Sequence, residues 1–262
     1  MFAKIWRRLG YLATAEGREF LRLYSACARR ERHRPLSNVQ FKGLVFDVPD
    51  APSFFWQYVD IFRNSSYFFR CAHSCPVVYD CGANVGVSAA YFKMLYPDAR
   101  MTAFEPDENV FGYLHRNLAR NGLMTGVALH KAAVWVHSDG VAFDSDGADG
   151  GRVATGEAMR RVSSVELAEL LADEKRVDLL KMDIEGAESI VLPSLKPVLN
   201  RVCRLFCEYH SWGTGTLGHI LETLDEAGFH YRLAPLGNSA SSPFECGDMP
   251  WQVNIFAVNE RL

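Results

Sequence analysis

The sequence predicts an α/β fold with a doubly wound, mostly parallel sheet and helices on both of its faces. From about residue 76 onward, short apolar runs of strand length alternate with segments whose apolar residues recur at helical spacing. The chain has 262 residues, of which 48% are hydrophobic and 23% are charged, as in ordinary globular proteins. The last two predicted strands alternate apolar with polar residues, which favours an antiparallel edge on the sheet.

The first elements of this pattern are two strands, each followed by a helix. A buried strand at 77–79 precedes a helix that starts near Val87 and ends before Pro97, because proline cannot continue a helix. A second strand at 101–104 precedes a helix that carries apolar residues from 110 to 118. That helix ends near Gly122, as helices commonly end at a glycine.

The second part of the chain continues the alternation. A strand at 127–136 is followed by a turn into a short hairpin partner at 141–143. Ser163 and Glu166 have the spacing of a capping box, which predicts that a helix begins there. The remaining elements are strands at 177–182 and 202–207, a helix at 217–224 closed by Gly228, and the final strand pair at 229–233 and 252–258.

The first 34 residues differ in charge from the rest of the chain. They contain nine Lys or Arg and three Glu, whereas the whole chain has a formal net charge of -3. Apolar residues interleave with these charges at roughly helical spacing, which predicts one or two amphipathic helices. Two interpretations stay open for this segment. It contacts a membrane surface peripherally, or it packs on its own domain or on a second copy in a homodimer.

Composition also narrows the class of protein. A nearly balanced charge gives no global field that would gather nucleic acid, so we expect no nucleic-acid partner. No stretch approaches the roughly 18 consecutive apolar residues of a membrane span, and no signal-peptide pattern is visible. We therefore expect a cytoplasmic protein, with the basic N-terminus as the segment that would lie at the inner membrane face. Cys71, His73 and Cys75 lack the spacing of common zinc motifs and are interpreted as structural.

Polar and acidic residues follow four of the predicted strands. In open α/β sheets the ligand lies outside the carboxyl ends of the strands, so these residues are the candidates for a site. Asp80-Cys-Gly82-Ala83-Asn84-Val-Gly86 follows the first strand. The later strands are followed by Glu105-Pro106, Asp183-Ile-Glu185-Gly186 and Glu208-Tyr-His210.

The turn after the first strand points to a cationic nucleoside ligand. A G-x-G-x-x-G turn would place a pyrophosphate at the helix N-terminus, but here Gly82 and Gly86 follow Asp80, whose carboxylate would repel a pyrophosphate. S-adenosylmethionine fits this turn, since it carries an ammonium and a sulfonium and no phosphate. Glu105 stands at the end of the second strand, where it can accept hydrogen bonds from a ribose diol. The alternative is that the glycines only permit a tight turn and Asp80 caps a helix.

At these residues the sequence resembles the FkbM-type S-adenosylmethionine-dependent methyltransferases. The resemblance rests on Asp80 to Gly86, Phe104-Glu105-Pro106 and especially Leu180 to Glu188, and it covers roughly residues 60 to 210. Asp60, Tyr67 and the Glu208-x-His210 pair also fit it. The resemblance implies a class I methyltransferase fold, which is Rossmann-like. It also implies methyl transfer to a hydroxyl, often on a sugar or a polyketide-type product. Cys81 departs from it, because a valine or isoleucine is more usual there.

The resemblance divides the chain into two predicted parts. Residues 1–58 are expected to form a helical, basic N-terminal extension, and residues 59–262 the S-adenosylmethionine-binding methyltransferase domain. The residues expected to bind the cofactor are Asp80, Gly82, Ala83, Asn84, Gly86, Glu105, Pro106 and Tyr67.

Methyl transfer to an alcohol favours a positioned base beside the cofactor. Asp183, at the end of a strand, is the first candidate. Glu185 is expected to begin the next helix, and His210 offers a side chain that titrates near neutral pH. Glu188 is expected to be either a charge on the face of that helix or a structural charge. An alternative is that Asp183, Glu208 and His210 hold a divalent metal that acidifies the hydroxyl; the simpler expectation is a site without metal.

The predicted function is therefore an S-adenosylmethionine-dependent O-methyltransferase for a hydroxyl of a sugar, in a polysaccharide or glycolipid, or of a secondary metabolite. The alternatives are a nicotinamide-dependent oxidoreductase, which the missing phosphate loop disfavours, and a noncatalytic S-adenosylmethionine-binding module. Residues 144–157 are rich in Gly and Asp, with almost nothing to bury, so we expect a mobile loop that acts as a lid or is a tolerated insertion.

Overall fold

A computed structural model of the chain describes residues 14–154, 160–236 and 251–260. Seven of its strands form one central sheet. Their order across the sheet is β13 (Phe229–Leu236), β14 (Gln252–Asn259), β12 (Arg204–His210), β11 (Leu179–Met182), β3 (Val77–Cys81), β4 (Arg100–Phe104) and β5 (Val127–His130). The five strands from β12 to β5 are parallel, and β14 and β13 are antiparallel to their neighbours. The predicted fold class, a mostly parallel sheet with an antiparallel edge, is confirmed.

Helices cover both faces of this sheet, because alternate strand residues point to opposite sides. Val78 and Leu179 belong to one hydrophobic core, whereas their neighbours Tyr79 and Leu180 belong to the other. The helix that ends at Gly228 does so as predicted, with that glycine at φ 83°. The helices are α1 (Ala15–Leu23), α2 (Ala51–Tyr58), α3 (Val87–Leu95), α4 (Glu108–Arg120), α5 (Leu167–Ala172), α6 (Glu188–Ser194) and α7 (Leu217–Ala227).

The order of the strands places one crevice at the carboxyl ends of β3 and β11. Consecutive strands run outward from β3 in one direction through β4 and β5, and from β11 in the other direction through β12. The connections that leave β3 and β11 therefore diverge to opposite sides, which is the topological switch point where α/β sheets bind ligands.

The described part of the N-terminal region shares its core with the sheet. Helix α1 and the antiparallel hairpin β1 (Leu36–Phe41) and β2 (Leu44–Val48) pack with α2 through a cluster of aromatic rings. Helix α2 continues into a π-helical turn, Val59–Arg63, so the boundary predicted after residue 58 lies inside a continuous helical segment, and the two-domain division stays a prediction. Among the described residues, no helix is long and apolar enough to span a membrane. Residues 1–13, part of the predicted basic helices, lie outside the described residues.

Three local predictions were wrong, each because a pairing distant in the sequence prevailed. The strand predicted at 127–136 is divided into β5 and β6 (Ala133–Trp135), since β6 leaves the sheet to pair with β10 (Ser164–Glu166). That pairing also replaces the predicted capping box, and α5 begins only after Glu166, without a side-chain cap. The segment β7 (Val141–Asp144) pairs with β8 (Arg152–Val153) and β9 (Arg160–Val162), and not with the strand before it.

Candidate active site

A cavity of about 370 Å³ opens at the carboxyl ends of the parallel strands. Most of the residues predicted to form the site line it, from the turns after β3, β4 and β11 and from the end of β12. Those lining residues are Tyr67, Gly82, Ala83, Asn84, Glu105, Pro106, Asp183, Glu185 and Glu208. The structure thus brings together residues that are more than 120 positions apart in the sequence.

The turn after β3 needs its first glycine for a close backbone contact. Gly82 has a φ of 82°, and a Cβ atom there would lie 1.9 Å from the carbonyl oxygen of Asp183. The amides of Gly82 and Ala83 both donate to the carbonyl oxygen of Phe104, which fixes the turn against β4. Gly86, with a φ of 95°, caps α3, and a Cβ there would contact Leu114. Gly86 therefore supports the turn without lining the cavity.

Asp80 is buried below the cavity and paired with a lysine that sequence reasoning missed. Its carboxylate accepts a hydrogen bond from Ser88 Oγ (2.6 Å) and lies 3.4 Å from Lys181 Nζ. Lys181 is only 2% exposed, lies 3.4 Å from Asp183 Oδ2 and donates to the carbonyl oxygen of Gly82. Burial opposes the charge on Lys181, but Asp183 and Asp80 outweigh it and raise its pKa. The available signal was a lysine between two apolar residues, Leu180 and Met182, near the carboxyl end of the predicted strand.

Glu105 is held at the cavity edge by two backbone amides. Its Oε2 accepts from Asn84 N (3.1 Å) and its Oε1 from Asp107 N (2.9 Å), so one lone pair on each oxygen stays available. Burial raises the pKa of Glu105 to about 7, and the neighbouring Asp107 carboxylate adds to the rise. The carboxyl group therefore titrates near neutral pH.

An acidic cluster lines the other end of the cavity, and one histidine is buried behind it. Asp183 and Glu185 follow β11, while Glu208 and His210 lie within β12, which ends three residues later than predicted. His210 is 1% exposed, with Nε2 at 3.5 Å from Glu208 Oε1 and 3.7 Å from Glu185 Oε2. Glu185 does not begin a helix: it has a φ of 55° in the turn before α6, because Gly186 at φ 100° reverses the chain there.

Glu188 orients the histidine from below. Its side chain is fully buried, and its Oε1 lies 3.0 Å from His210 Nδ1. The same carboxylate accepts from the backbone amides of Ile184 and Gly186, so it also fixes the turn that carries Glu185. Glu188 is thus structural, as predicted, but it acts on the histidine and not as a charge on an exposed helix face.

The crowding of carboxyl groups shifts the pKa values in this cluster. Burial, together with the nearby Asp183 carboxylate, raises the pKa of Glu185 to about 9. Burial opposes a charge on His210, but Glu188 and Glu208 outweigh it and raise the pKa of His210 to about 11. The cluster therefore holds protons more tightly than isolated side chains do, and Glu185, Glu208 and His210 share them.

Two walls of the cavity come from segments outside the predicted site residues. One is α2, which the sequence did not connect with the site, and the other is the loop predicted to be a lid or an insertion. Trp56 and Gln57 of α2 line the cavity, and the Trp56 side chain is 61% exposed. The loop after β7 forms a second wall, where Ala148 O accepts from Asn84 Nδ2 (2.9 Å) and Asp149 binds Arg32 (2.5 Å). The described part of the predicted mobile loop is thus tied to both the first turn and the N-terminal region.

The strand order, the glycine turn and the acidic strand ends define a class I methyltransferase fold. A family model described as the methyltransferase FkbM domain matches residues 80–231, and the chain belongs to this family. The family resemblance that the motifs predicted is confirmed.

Relatives and a solved structure agree with this assignment. The methyltransferase sdnD of Sordaria araneosa is 31% identical, in a match that covers 52% of this chain and 66% of the relative. The 2-O-methyltransferase NoeI of Sinorhizobium fredii (strain NBRC 101917 / NGR234) is 24% identical, covering 51% and 63%. The chain therefore matches slightly under two thirds of their lengths. The crystal structure of a methyltransferase FkbM from Methylobacillus flagellatus KT shares the fold, with a TM-score of 0.50 and 16% identity, covering 73% of this chain and 45% of that one.

Substitution of Gly82 tests whether the turn depends on the close contact with Asp183. We expect Gly82→Ala to lower the free energy of unfolding by at least about 2 kcal/mol, roughly a 4–8 °C fall in Tm, because the new Cβ would overlap the Asp183 carbonyl. Gly43→Ala is the matched control, since Gly43 has a φ of 80° and nothing within 4 Å of its Cβ position. Equal losses in the two variants, measured by thermal unfolding, would show that only the positive φ matters.

Proposed function

We propose that the protein transfers a methyl group from S-adenosylmethionine to a hydroxyl of a sugar or of a small secondary metabolite. The observation that carries this proposal is the charge of the cavity at the switch point. Among its described lining residues are eight carboxyl side chains and one lysine. Such a lining attracts a cationic nucleoside and repels a diphosphate, which argues against a nicotinamide dinucleotide as ligand.

The described residues fit S-adenosylmethionine at one end of the cavity. Gly82, Ala83 and Asn84 would hold it through a backbone that comes close because Gly82 has no side chain. Glu105 would accept from its ribose hydroxyls, since both carboxylate oxygens keep a free lone pair. Pro106 and Tyr67 would contact it as lining residues, whereas Asp80 would act indirectly through Lys181. The sequence predicted that the Asp80 side chain faces the ligand directly. In the structure Asp80 is buried and does not line the cavity.

Bound S-adenosylmethionine would supply an electrophilic methyl group. The chain would orient the acceptor hydroxyl toward it, and orientation alone can contribute roughly 7–11 kcal/mol at the upper limit. Asp183 would accept the hydroxyl proton, because it lines the cavity and its Oδ2 is held 3.4 Å from the Lys181 ammonium. His210 carries its own proton at neutral pH, so in the metal-free site it would position Glu185 and Glu208 electrostatically and not act as the base.

Trp56 supports a sugar ring as the acceptor. Its indole is the most exposed large hydrophobic side chain among the described residues, and it forms part of the cavity wall. Phe55 holds it with an edge-on ring contact at 5.2 Å. A flat, exposed indole offers a rigid apolar platform for one face of a pyranose, while the acidic end of the cavity would accept hydrogen bonds from its hydroxyls. The name of one relative, 2-O-methyltransferase, supports a hydroxyl acceptor.

Ligand binding tests the cofactor assignment. We expect S-adenosylhomocysteine to raise the Tm in a concentration-dependent manner and NAD to leave it unchanged, because the cavity is negatively charged. Thermal shift followed by calorimetric titration measures both. Binding of NAD without binding of S-adenosylhomocysteine would refute the proposal and favour the oxidoreductase.

Glu105 gives this binding a predictable pH dependence. The ionised carboxylate accepts from both ribose hydroxyls, whereas the protonated form loses an acceptor site. Asp107 and Lys181 are the other charged groups that act on it. With a pKa of about 7 in the free protein, the affinity for S-adenosylhomocysteine should rise roughly tenfold between pH 6 and pH 8. Calorimetric titration of Glu105→Gln should give a weaker and nearly pH-independent affinity, while Glu108→Gln, an exposed neighbour, should behave as the wild type.

Asp183→Asn separates chemistry from cofactor binding. The amide keeps the shape of the side chain but cannot take the hydroxyl proton, so turnover should fall about 10²- to 10⁴-fold. Methyl transfer from labelled cofactor to a panel of glycans and small alcohols measures the turnover, and calorimetry measures the affinity for S-adenosylhomocysteine. The affinity should change less than threefold, and Asp173→Asn, an exposed control, should leave both unchanged. Full turnover in Asp183→Asn would remove Asp183 as the base.

A further inference from the structure

Asp183, Glu185 and His210 present three ligand atoms to one point. One oxygen of each carboxylate and one ring nitrogen of the histidine all lie within 4.8 Å of one another. Ligands roughly 2.2 Å from a cation are separated by at most about 4.4 Å, so small side-chain adjustments would close this arrangement around an ion. Glu208 lies beside the same point, with Oε1 at 3.5 Å from His210 Nε2.

The surroundings of His210 orient its Nε2 atom as a metal ligand. Its Nε2 is a buried nitrogen without a hydrogen-bond partner, and it faces the carboxylates of Glu185 and Glu208. Its other nitrogen, Nδ1, lies 3.0 Å from the fully buried Glu188 Oε1. A carboxylate behind the distal ring nitrogen is the usual companion of a metal-binding histidine, because it fixes the ring and keeps the Nδ1 proton on its own side. A cation would displace the proton that Nε2 carries in the metal-free protein, since a metal-binding imidazole nitrogen must be deprotonated. A buried polar atom without a partner is costly unless a ligand satisfies it.

The excess of carboxyl groups around this point also favours binding of a cation. Asp183, Glu185, Glu188 and Glu208 surround His210, and the nearest lysine, Lys181, is shared between Asp183 and Asp80. Carboxyl groups therefore outnumber the cationic side chains in a largely buried volume. We propose that Asp183, Glu185 and His210 bind one divalent cation of the Mn²⁺ or Mg²⁺ class, with Glu208 as a further oxygen ligand at its edge.

The ligand types decide the class of cation. Carboxylate oxygens suit Mg²⁺ and Mn²⁺, and the imidazole nitrogen favours Mn²⁺ of the two. Binding itself is independent of the methyl-transfer proposal, but its role rests on that proposal. There the cation would hold the acceptor hydroxyl and lower its pKa. The carboxylate oxygen of Asp183 that does not bind the cation would still accept the hydroxyl proton.

A second group of ligand types serves as an internal control. One ligand atom from each of Cys71, His73 and Asp178 also lies within 4.8 Å of the other two. However, Asp178 Oδ1 already accepts from Arg176 Nε (2.9 Å) and Asp178 Oδ2 accepts from Val77 N (2.9 Å). The guanidinium neutralises that carboxylate, so we expect no cation there.

Titration of the metal-free full chain with Mn²⁺ alone, followed by electron paramagnetic resonance, tests the proposal. We expect one bound Mn²⁺ and an electron spin-echo modulation from a directly coordinated histidine nitrogen. Asp183→Asn and Glu185→Gln should each weaken binding at least tenfold, and Glu188→Gln should weaken it about 10- to 100-fold through the ring orientation. His210→Gln should remove the nitrogen modulation, and His73→Gln should change nothing.

Other outcomes would overturn the proposal in distinguishable ways. No binding by a folded wild type, checked by circular dichroism, or equal affinity in Glu185→Gln, would show that the cluster only shares protons. Loss of the nitrogen signal in His73→Gln instead of His210→Gln would move the site to Cys71, His73 and Asp178. S-adenosylhomocysteine is titrated into the same metal-free samples. If it binds and Mn²⁺ does not, only the cation site falls; if Mn²⁺ binds and it does not, the methyl-transfer proposal falls and the cation site stands.

Discussion

The buried ammonium group of Lys181 holds together the two central strands of the sheet at the ends that form the site. It lies between the carboxylates of Asp80 on β3 and Asp183 after β11, and it also donates to the carbonyl oxygens of Cys81 and Gly82. Removing one partner of such a buried pair typically costs about 3–5 kcal/mol, because the remaining charge stays unpaired. The position of the glycine turn, the backbone of Asp183 and hence the width of the cavity all depend on this contact.

This contact also explains why the cavity is negative. One lysine is shared by two carboxylates, so Asp183 contributes charge to the cavity even though it is paired. Further carboxylates line the cavity from the strand ends and from the loop after β7. Arg32 binds Asp149 of this loop, but Arg32 itself does not line the cavity. Sequence reasoning assigned the selectivity against phosphorylated nucleotides to Asp80. In our proposal this selectivity comes from the whole lining, while the Asp80 side chain pairs with Lys181.

Most of the fold could be predicted because most of its helices and strands have clear signals in their own local sequence. The parallel strands, the helices α3, α4 and α7 and the antiparallel edge follow from apolar periodicity and from stop signals such as Gly228. The region from 127 to 166 was predicted wrongly in its details, since β6 pairs with β10 across about thirty residues. A capping box and a hairpin turn are local signals, and a distant strand that satisfies the same backbone groups can override them.

The sequence by itself determined the sheet, the family motifs and the edge at which the candidate residues gather, because residue order fixes which side chains follow each parallel strand. Only the tertiary structure decided what those side chains face. It placed Asp80 against Lys181, joined His210 to Glu188 and brought Trp56 and the loop at 145–149 to the cavity wall. The physical reason is that burial and pairing depend on segments that are far apart along the chain, and these settle the charge and the accessibility of each group.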